Sequence, residues 1–305
     1  MKLTAQLTMA AAIATLTCAT AYAQGQQDFS KVEIKTNKLS NNFYTLDGQG
    51  GTIGILAGPD GVFQVDSQFA PLSTKIAAAI KAIAPNPVRW YMVNTHVHGD
   101  HTGGDENFAK MGVTILARPE LRERLAHPAP GANGQPGTPA PAASLPIVTY
   151  NNEIVFNMDG EEIHLIPIPR AHTDGDTMVY FAHNDILMTG DFYRSLGYPN
   201  IDIGNGGSMN GMLAGLARIV ALAGPKTRIV PGHGDIVDRG AVQFHRDMMM
   251  AVRDKVSAMV DQGKSQQDVV AAKLTAEFDA KVPGGAGMTA DRFVGQLYAQ
   301  LKAAK

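Results

Sequence analysis

Within the run THVHGDHTGG, the imidazoles of His96, His98 and His101 and the carboxylate of Asp100 crowd into consecutive or near-consecutive positions. Packing does not account for such density. Imidazole nitrogens and carboxylate oxygens are borderline-to-hard donors that suit zinc, iron or manganese, and a turn at a strand end can aim alternate side chains at different ions. Three further ligand-type residues stand alone: His172 in PIPRAHTDGDT, Asp191 in LMTGDF and His233 in VPGHGD. Each follows a short apolar run. Together the seven supply enough donors for two ions with three or four protein contacts apiece plus a shared water. A pair of ions in that setting makes water nucleophilic near neutral pH and polarises a carbonyl oxygen, so hydrolysis without a protein nucleophile is the expected chemistry. The sequence agrees: it has no G-x-S-x-G elbow, and its single cysteine, Cys18, lies in the first segment.

Those residues need elements to hold them. Short apolar runs broken by Gly, Asp and Asn (NNFYTLDGQG, GTIGILAGPDG, VFQVDSQ) predict antiparallel strands with tight turns, after a polar stretch from Gln24 to about Leu39. PLSTKIAAAIKAIAP has helical spacing between Pro71 and Pro85, and VRWYMVN predicts a buried strand that delivers the histidine run at Thr95. A helix near Gly104 to Met111, a strand VTILA and a helix over Pro119 to Ala126 follow. Residues His127 to Pro146 are rich in Pro, Gly and Ala and predict a loop, acting as a spacer or a lid. The strands EIVFN, EEIHLIPIP, DTMVYFAH and DILMTGD, a helix over Ser208 to Ala223 and the strand TRIVPGH complete a second block. From Arg239 to Lys305 the spacing is helical, interrupted at Gly263 and at VPGGAGMT, with no chemistry visible. Two blocks of strands then helix predict an α/β fold, a four-layer αββα sandwich with a C-terminal helical extension.

Bulk properties narrow the partners. With 45% hydrophobic and 18% charged residues, the chain can bury a sizeable core and is neither disordered nor membrane-spanning. A formal net charge of -2 gives no electrostatic reason to bind nucleic acid or an anionic membrane. The partner is expected to be a small molecule. The opening MKLTAQLTMAAAIATLTCATAYAQ has an early Lys2, an apolar stretch and Ala-Tyr-Ala before Gln24, the pattern of a secretory signal cleaved after Ala23. That predicts a periplasmic or secreted protein without cysteine and without membrane insertion after cleavage, its residues 24–238 forming the catalytic domain and 239–305 a helical segment packed on it.

The order H-x-H-x-D-H, then lone His, Asp and His, resembles the metallo-β-lactamase superfamily, over about Phe43 to Asp235. The resemblance implies two Zn2+ per chain, one on His96, His98 and His172, the other on Asp100, His101 and His233, with Asp191 bridging. Asp100 would also orient the attacking hydroxide and pass a proton to the leaving group. Asp66, at the end of VFQVD, resembles a strand-end Asp that fixes the tautomer of a ligand His. Asn94 and Thr95 are further supports, and Tyr193 or Arg194 could touch a substrate oxyanion or carboxylate. His127, His164, His183 and His245 lie off the motif and are read as structural.

An exported enzyme would meet β-lactams, which makes that ring the leading substrate. Against it, Asp191 stands where one lactamase subclass has a metal-binding cysteine and another lacks a ligand, and so resembles lactonases and glyoxalase-type thioesterases instead. A lactonase of the acyl-homoserine lactone type, or a thioesterase, is the alternative. Outside hydrolysis, the same scaffold serves mononuclear iron oxidoreductases, and a non-catalytic metal-binding role is a third class.

Overall fold

The computed structural model describes residues 28–130, 134–284 and 287–304, so the expected signal segment and Cys18 lie outside the described residues. Its first sheet carries β1 (Lys35–Lys38), β2 (Phe43–Asp47), β3 (Ile53–Gly58), β4 (Gly61–Val65), β5 (Trp90–Val93), β6 (Thr114–Ala117) and β7 (Val148–Thr149) in that spatial order. Strands β1 to β4 pair antiparallel, as the tight turns predict, and β4 to β7 pair parallel. The second sheet holds β8 (Ile154–Met158), β9 (Glu161–Pro167), β10 (Thr177–Phe181), β11 (Ile186–Met188) and β12 (Arg228–Val230), ordered β12-β11-β10-β9-β8. The helices are α1 (Ser73–Ile83), α2 (Gly99–Thr102), α3 (Asp105–Lys110), α4 (Pro119–Ala126), α5 (Met209–Leu222), α6 (Arg239–Asp261), α7 (Gln266–Ala271) and α8 (Gly287–Ala303).

Alternation along the strands decides the layers, because successive side chains point to opposite faces of a sheet. In β3, Ile53 and Ile55 pack outward with Ile76 and Ile80 of α1, while Leu56 packs inward. In β10, Val179 and Phe181 point inward and Met178 points to the helices α5 and α6. Three separate apolar clusters result, one between the sheets and one outside each, which is what four layers, αββα, require. Edge-on aromatic contacts join the sheets: Phe43 meets Phe181 at 4.5 Å and Phe63 meets Phe156 at 5.2 Å. Such pairs add about 0.5–1.5 kcal/mol beyond the area they bury.

Two strands depart from the sequence-based expectation. β1 lies inside the polar stretch assigned no structure, and β7 follows the Pro-rich loop; both are sheet edges, where no buried face imposes an apolar pattern. The single helical turn α2 was also expected only as a turn. Helices α6 and α8 pack against each other and α6 against α5, with the expected break at Gly263, whose φ is 73°. Among the described residues no helix is long and apolar enough to cross a membrane.

Candidate metal centre

All seven singled-out donors leave the carboxyl ends of strands. β5 runs to Val93, after which the Asn94 N–H donates to the Leu116 carbonyl and the Thr95 N–H donates to Asp66 Oδ1 at 2.7 Å. The chain then bends through Thr95 to Val97 and is extended at His98 before turning into α2, so His96 and His98 precede the helical turn and Asp100 and His101 lie within it. His172 follows β9, Asp191 sits in a 3-10 turn after β11, and His233 follows β12. The parallel ends of β11 and β12 are tied by the Gly232 N–H donating to the Gly190 carbonyl. Two glycines permit the crowding: a Cβ at Gly51 would lie 2.1 Å from His101 Cε1, and one at Gly232 would lie 2.0 Å from Asp191 Oδ1.

The structure brings the seven into two adjoining groups, His96, His98, His172 and Asp191 in one and Asp100, His101 and His233 in the other. In the first group, His98 Nδ1 lies 3.2 Å from His96 Nε2 and 3.0 Å from His172 Nε2. The far nitrogens fix the tautomers. His172 Nδ1 donates to the Asn200 carbonyl at 2.6 Å, and His98 Nε2 donates to Asp202 Oδ2 at 2.7 Å. Thr95 Oγ1 gives its proton to Asp66 Oδ2 and therefore accepts from His96 Nδ1 at 3.1 Å. A neutral imidazole carries one N–H, so three lone pairs converge on a common point. They repel one another unless a cation lies among them, and their separations approach the roughly 3.3 Å edge of a tetrahedron with Zn–N bonds of about 2.0–2.1 Å.

The second group is built differently. His101 Nδ1 donates to Asp66 Oδ2 at 2.7 Å, which leaves His101 Nε2 facing Asp191 Oδ1 at 3.4 Å; both of those atoms are buried with no hydrogen-bond partner. His233 Nε2 lies 3.1 Å from Asp100 Oδ2 and 3.4 Å from Asp191 Oδ2. Orphaned buried donors of opposite character call for a proton or a metal ion between them. Asp191 thus stands between the groups, its Oδ2 also 3.9 Å from His172 Nε2.

Charge follows the same division. Burial, reinforced by neighbouring imidazoles, lowers His96 well below the usual range, and burial pulls His172 down to about 4, so both present lone pairs at neutral pH. Against the desolvation of full burial, the carboxylates of Asp66 and Asp191 hold His101 well above its usual value. His233 rises to about 9 because hydrogen bonds with Asp100 and Asp191 outweigh its burial. Burial favours protonating Asp191, yet the charge of His101 keeps it well below the carboxylate range.

Asp66 adopts φ 65°, a left-handed conformation that Asp tolerates better than most residues, and its carboxylate accepts from Thr95 twice and from His101. Asn94 donates to the buried Asp105. The sequence reading missed Asp202, Asn200 and Gln296. Asp202 accepts from Asn205 as well as from His98, an Asx turn whose local signal, D-x-x-N, says nothing of a histidine. Gln296 of α8 accepts from the Ile201 N–H and donates to Asn200 Oδ1, so a helix expected to carry no chemistry steadies the loop that holds His172. Tyr193 is buried and packs edge-on to His245 at 5.1 Å, and Arg194 is half-buried. His127 and His164 pair with Glu123 and Glu153, and His183 donates to the Gly160 carbonyl.

A cleft of about 370 Å³ opens beside His98, between Arg124 and Leu125 of α4, Gly204 and Asn205, and Pro128, Pro130, Thr138 and Ala140 of the Pro-rich stretch. Those four residues wall one side of the cleft, and the Ala140 N–H donates to the Leu125 carbonyl. A larger depression of about 690 Å³ around Pro85 to Tyr91 lies at the amino ends of β5 and β6 and contains none of the seven donors.

The sequence model of the metallo-beta-lactamase superfamily matches residues 51–233, more than half of the chain. A curated relative, 2,4-dinitroanisole O-demethylase subunit alpha of Nocardioides sp. (strain JS1661), is 29% identical over 161 residues, 52% of this chain and 46% of that protein. The chain therefore spans about half the length of the curated relative it matches. Among solved structures, the inverting sec-alkylsulfatase Pisa1 from Pseudomonas sp. superposes with a TM-score of 0.68 at 15% identity over 88% of this chain and 50% of that one. A metallo-beta-lactamase from Pontibacter korlensis gives 0.57 at 20% identity, over 72% and 99%. At such identities the structural likeness speaks for the fold.

Proposed function

The chain belongs to the metallo-β-lactamase superfamily, and from that premise we propose that it is an exported hydrolase that holds two zinc ions and opens an amide or ester bond in a small molecule. The observation that carries this reading is the convergence of seven donors on one spot, with His101 Nε2 and Asp191 Oδ1 buried there without a hydrogen-bond partner. His96, His98 and His172 would hold one ion and Asp100, His101 and His233 the other, with Asp191 between them. Bound zinc supplies Lewis acidity, which makes water nucleophilic near neutral pH and polarises the oxygen of the scissile bond. The protein residues do the rest. Asp100, a quarter exposed and within 3.1 Å of His233, faces the open side of the centre, where its carboxylate orients water and passes a proton to the leaving group. Thr95, Asn200 and Asp202 fix the tautomers of His96, His172 and His98 so that lone pairs, not protons, point inward, and Asp66 holds the Nδ1 proton of His101. The Ala- and Thr-rich opening with its Ala-Tyr-Ala end supports export.

A β-lactam remains the first substrate to test, with lactones and thioesters beside it. Sulfate esters join them because the fold likeness to the alkylsulfatase extends over 88% of the chain, against 72% for the lactamase. The deciding experiment assays zinc-loaded protein on nitrocefin, an acyl-homoserine lactone, an aryl thioester and an aryl sulfate, with and without chelator, alongside metal analysis. Chelator-sensitive turnover with two zinc per chain is expected. One iron per chain with oxygen-dependent turnover would replace hydrolysis by oxidation, and full zinc loading without turnover on any of these would leave a metal-binding role.

A further inference from the structure

Another cavity is lined by Tyr193, Arg194 and Ser195, which follow Asp191, and by Ala241, Phe244 and His245 of α6. It measures about 190 Å³, somewhat more than the roughly 150 Å³ that accommodates a benzene ring. Val237, Phe244 and Val282 give it apolar walls. Its lining also includes two buried polar side chains, Tyr193 and His245, which meet ring to ring yet have no hydrogen-bond partner among the described residues. Arg194 and Lys281 sit among the less buried lining residues, and among the described residues no carboxylate pairs with either; Lys281 Nζ rests 5.9 Å from the Phe244 ring centroid. Arg194 Nε is itself buried and unpartnered. The exposed Asp235 is the one acidic residue in the lining, so cations outnumber it.

The cavity adjoins the candidate centre through the backbone. Arg194 lies three residues after Asp191, the Ser195 N–H donates to the His233 carbonyl at 3.1 Å, and Ser195 Oγ donates to the Asp235 carbonyl at 2.8 Å. Gly234, at φ 103°, allows that approach, since a Cβ there would lie 2.2 Å from Ser195 Oγ. A His245 imidazole that burial brings down to about 4 is neutral at pH 7, with one donor and one acceptor to offer.

We propose that this cavity binds a small aromatic anion bearing a hydroxyl remote from its charge: the ring lies between Val237, Phe244 and Val282, the anion meets Arg194 and Lys281, and the hydroxyl bonds Tyr193 and His245. Each unsatisfied feature of the cavity then has a partner. Guanidinium supplies planar, paired donors for a carboxylate or sulfate, and a floor built to hydrogen-bond a hydroxyl discriminates against ligands that lack one. Calling that ligand part of the substrate or product rests on the proposed hydrolase reading; binding as such does not.

The test is calorimetry on zinc-loaded, full-length mature protein with three probes: para-hydroxybenzoate, benzoate, which lacks the hydroxyl, and para-hydroxybenzyl alcohol, which lacks the charge. Saturable binding of para-hydroxybenzoate is expected, with each of the other two weaker by about tenfold or more, a difference of about 1.4 kcal/mol. Ala241→Leu, which fills the cavity from α6, should abolish binding, Arg194→Gln should remove the preference for charge, and His245→Phe should remove the preference for the hydroxyl. Absence of saturable binding at millimolar probe overturns the proposal, as does a hydroxyl preference that survives His245→Phe in folded protein. Chelator-sensitive turnover without probe binding defeats the pocket alone; probe binding without turnover on any substrate defeats the hydrolase reading alone.

Discussion

The two halves of the candidate centre solve the same problem by different means. Around His96, His98 and His172, the groups fixing the imidazoles are a hydroxyl, a backbone carbonyl and one partly exposed carboxylate, and burial keeps His96 and His172 free of protons. Around His101 and His233, carboxylates on several sides hold both imidazoles in the protonated range until something else takes the proton's place. A metal-ligand imidazole must be neutral, so the first half is ready to receive a cation, whereas the second must give up protons to do so. The lesson is that one strand-end turn, His96 to His101, can serve a prepared position and a conditional one at once, because Thr95 and Asp66 lie behind it and set different charge on neighbouring rings.

The largest effect expected from breaking that asymmetry is on turnover. Asp100→Asn keeps the shape of the side chain but removes the charge facing His233, and should cut turnover by about two orders of magnitude while leaving circular dichroism and first-ion affinity unchanged. Activity of the variant close to that of the parent would take Asp100 out of the chemistry. Next comes Asp66→Asn. Its carboxylate bonds the buried His101 directly, so affinity for the second ion should fall about 10- to 100-fold, with the first ion affected less, in competition titrations against a chromophoric chelator. Equal losses at both positions would mean the halves are not separable.

Asp202→Asn should mirror that result on the first half at smaller scale, near the lower end of the same range. Asp202 is about a quarter exposed, so solvent can replace part of what it gives His98, and Asn205 donates to its carboxylate rather than to the histidine. A second-ion loss larger than the first-ion loss in this variant would reverse the assignment of supporting groups.

Legibility in the sequence followed the same physical divide. Asp100, His101, His172, Asp191 and His233 could be picked out because each follows a strand whose apolar residues are forced by burial, and because three imidazoles and a carboxylate in one run have no packing rationale. The layers were readable for the same reason: Ile53 and Ile55 against Leu56, or Met178 against Val179, record in alternation which face meets which cluster. Asp202 and Asn200 were not readable, since a polar loop residue gives the same local pattern whether or not a histidine from a distant strand donates to it. Gln296 comes from a helix some ninety residues beyond Ile201, and only tertiary packing joins the two. The edge strands β1 and β7 escaped because one is polar throughout and the other is two residues long.

The smallest expected signal is the most direct measure of the asymmetry. His233, at about 9, and His101, raised well above its usual value, hold protons at neutral pH in ion-free protein, so loading the second position should release about two protons. His172, at about 4, and His96, which burial holds well below its usual range, have none to release at the first. The sign for affinity follows. Below the pKa of a displaced proton, each proton costs about tenfold in apparent affinity per pH unit, so second-ion affinity should fall steeply as pH drops from about 8 to about 5 while first-ion affinity falls less. Zinc titrations by calorimetry in buffers of different ionisation enthalpy count the protons at each step. Equal proton release at the two steps would show that carboxylates behind His101 and His233 do not set the charge of the second half, and the distinction between a prepared and a conditional position would fail.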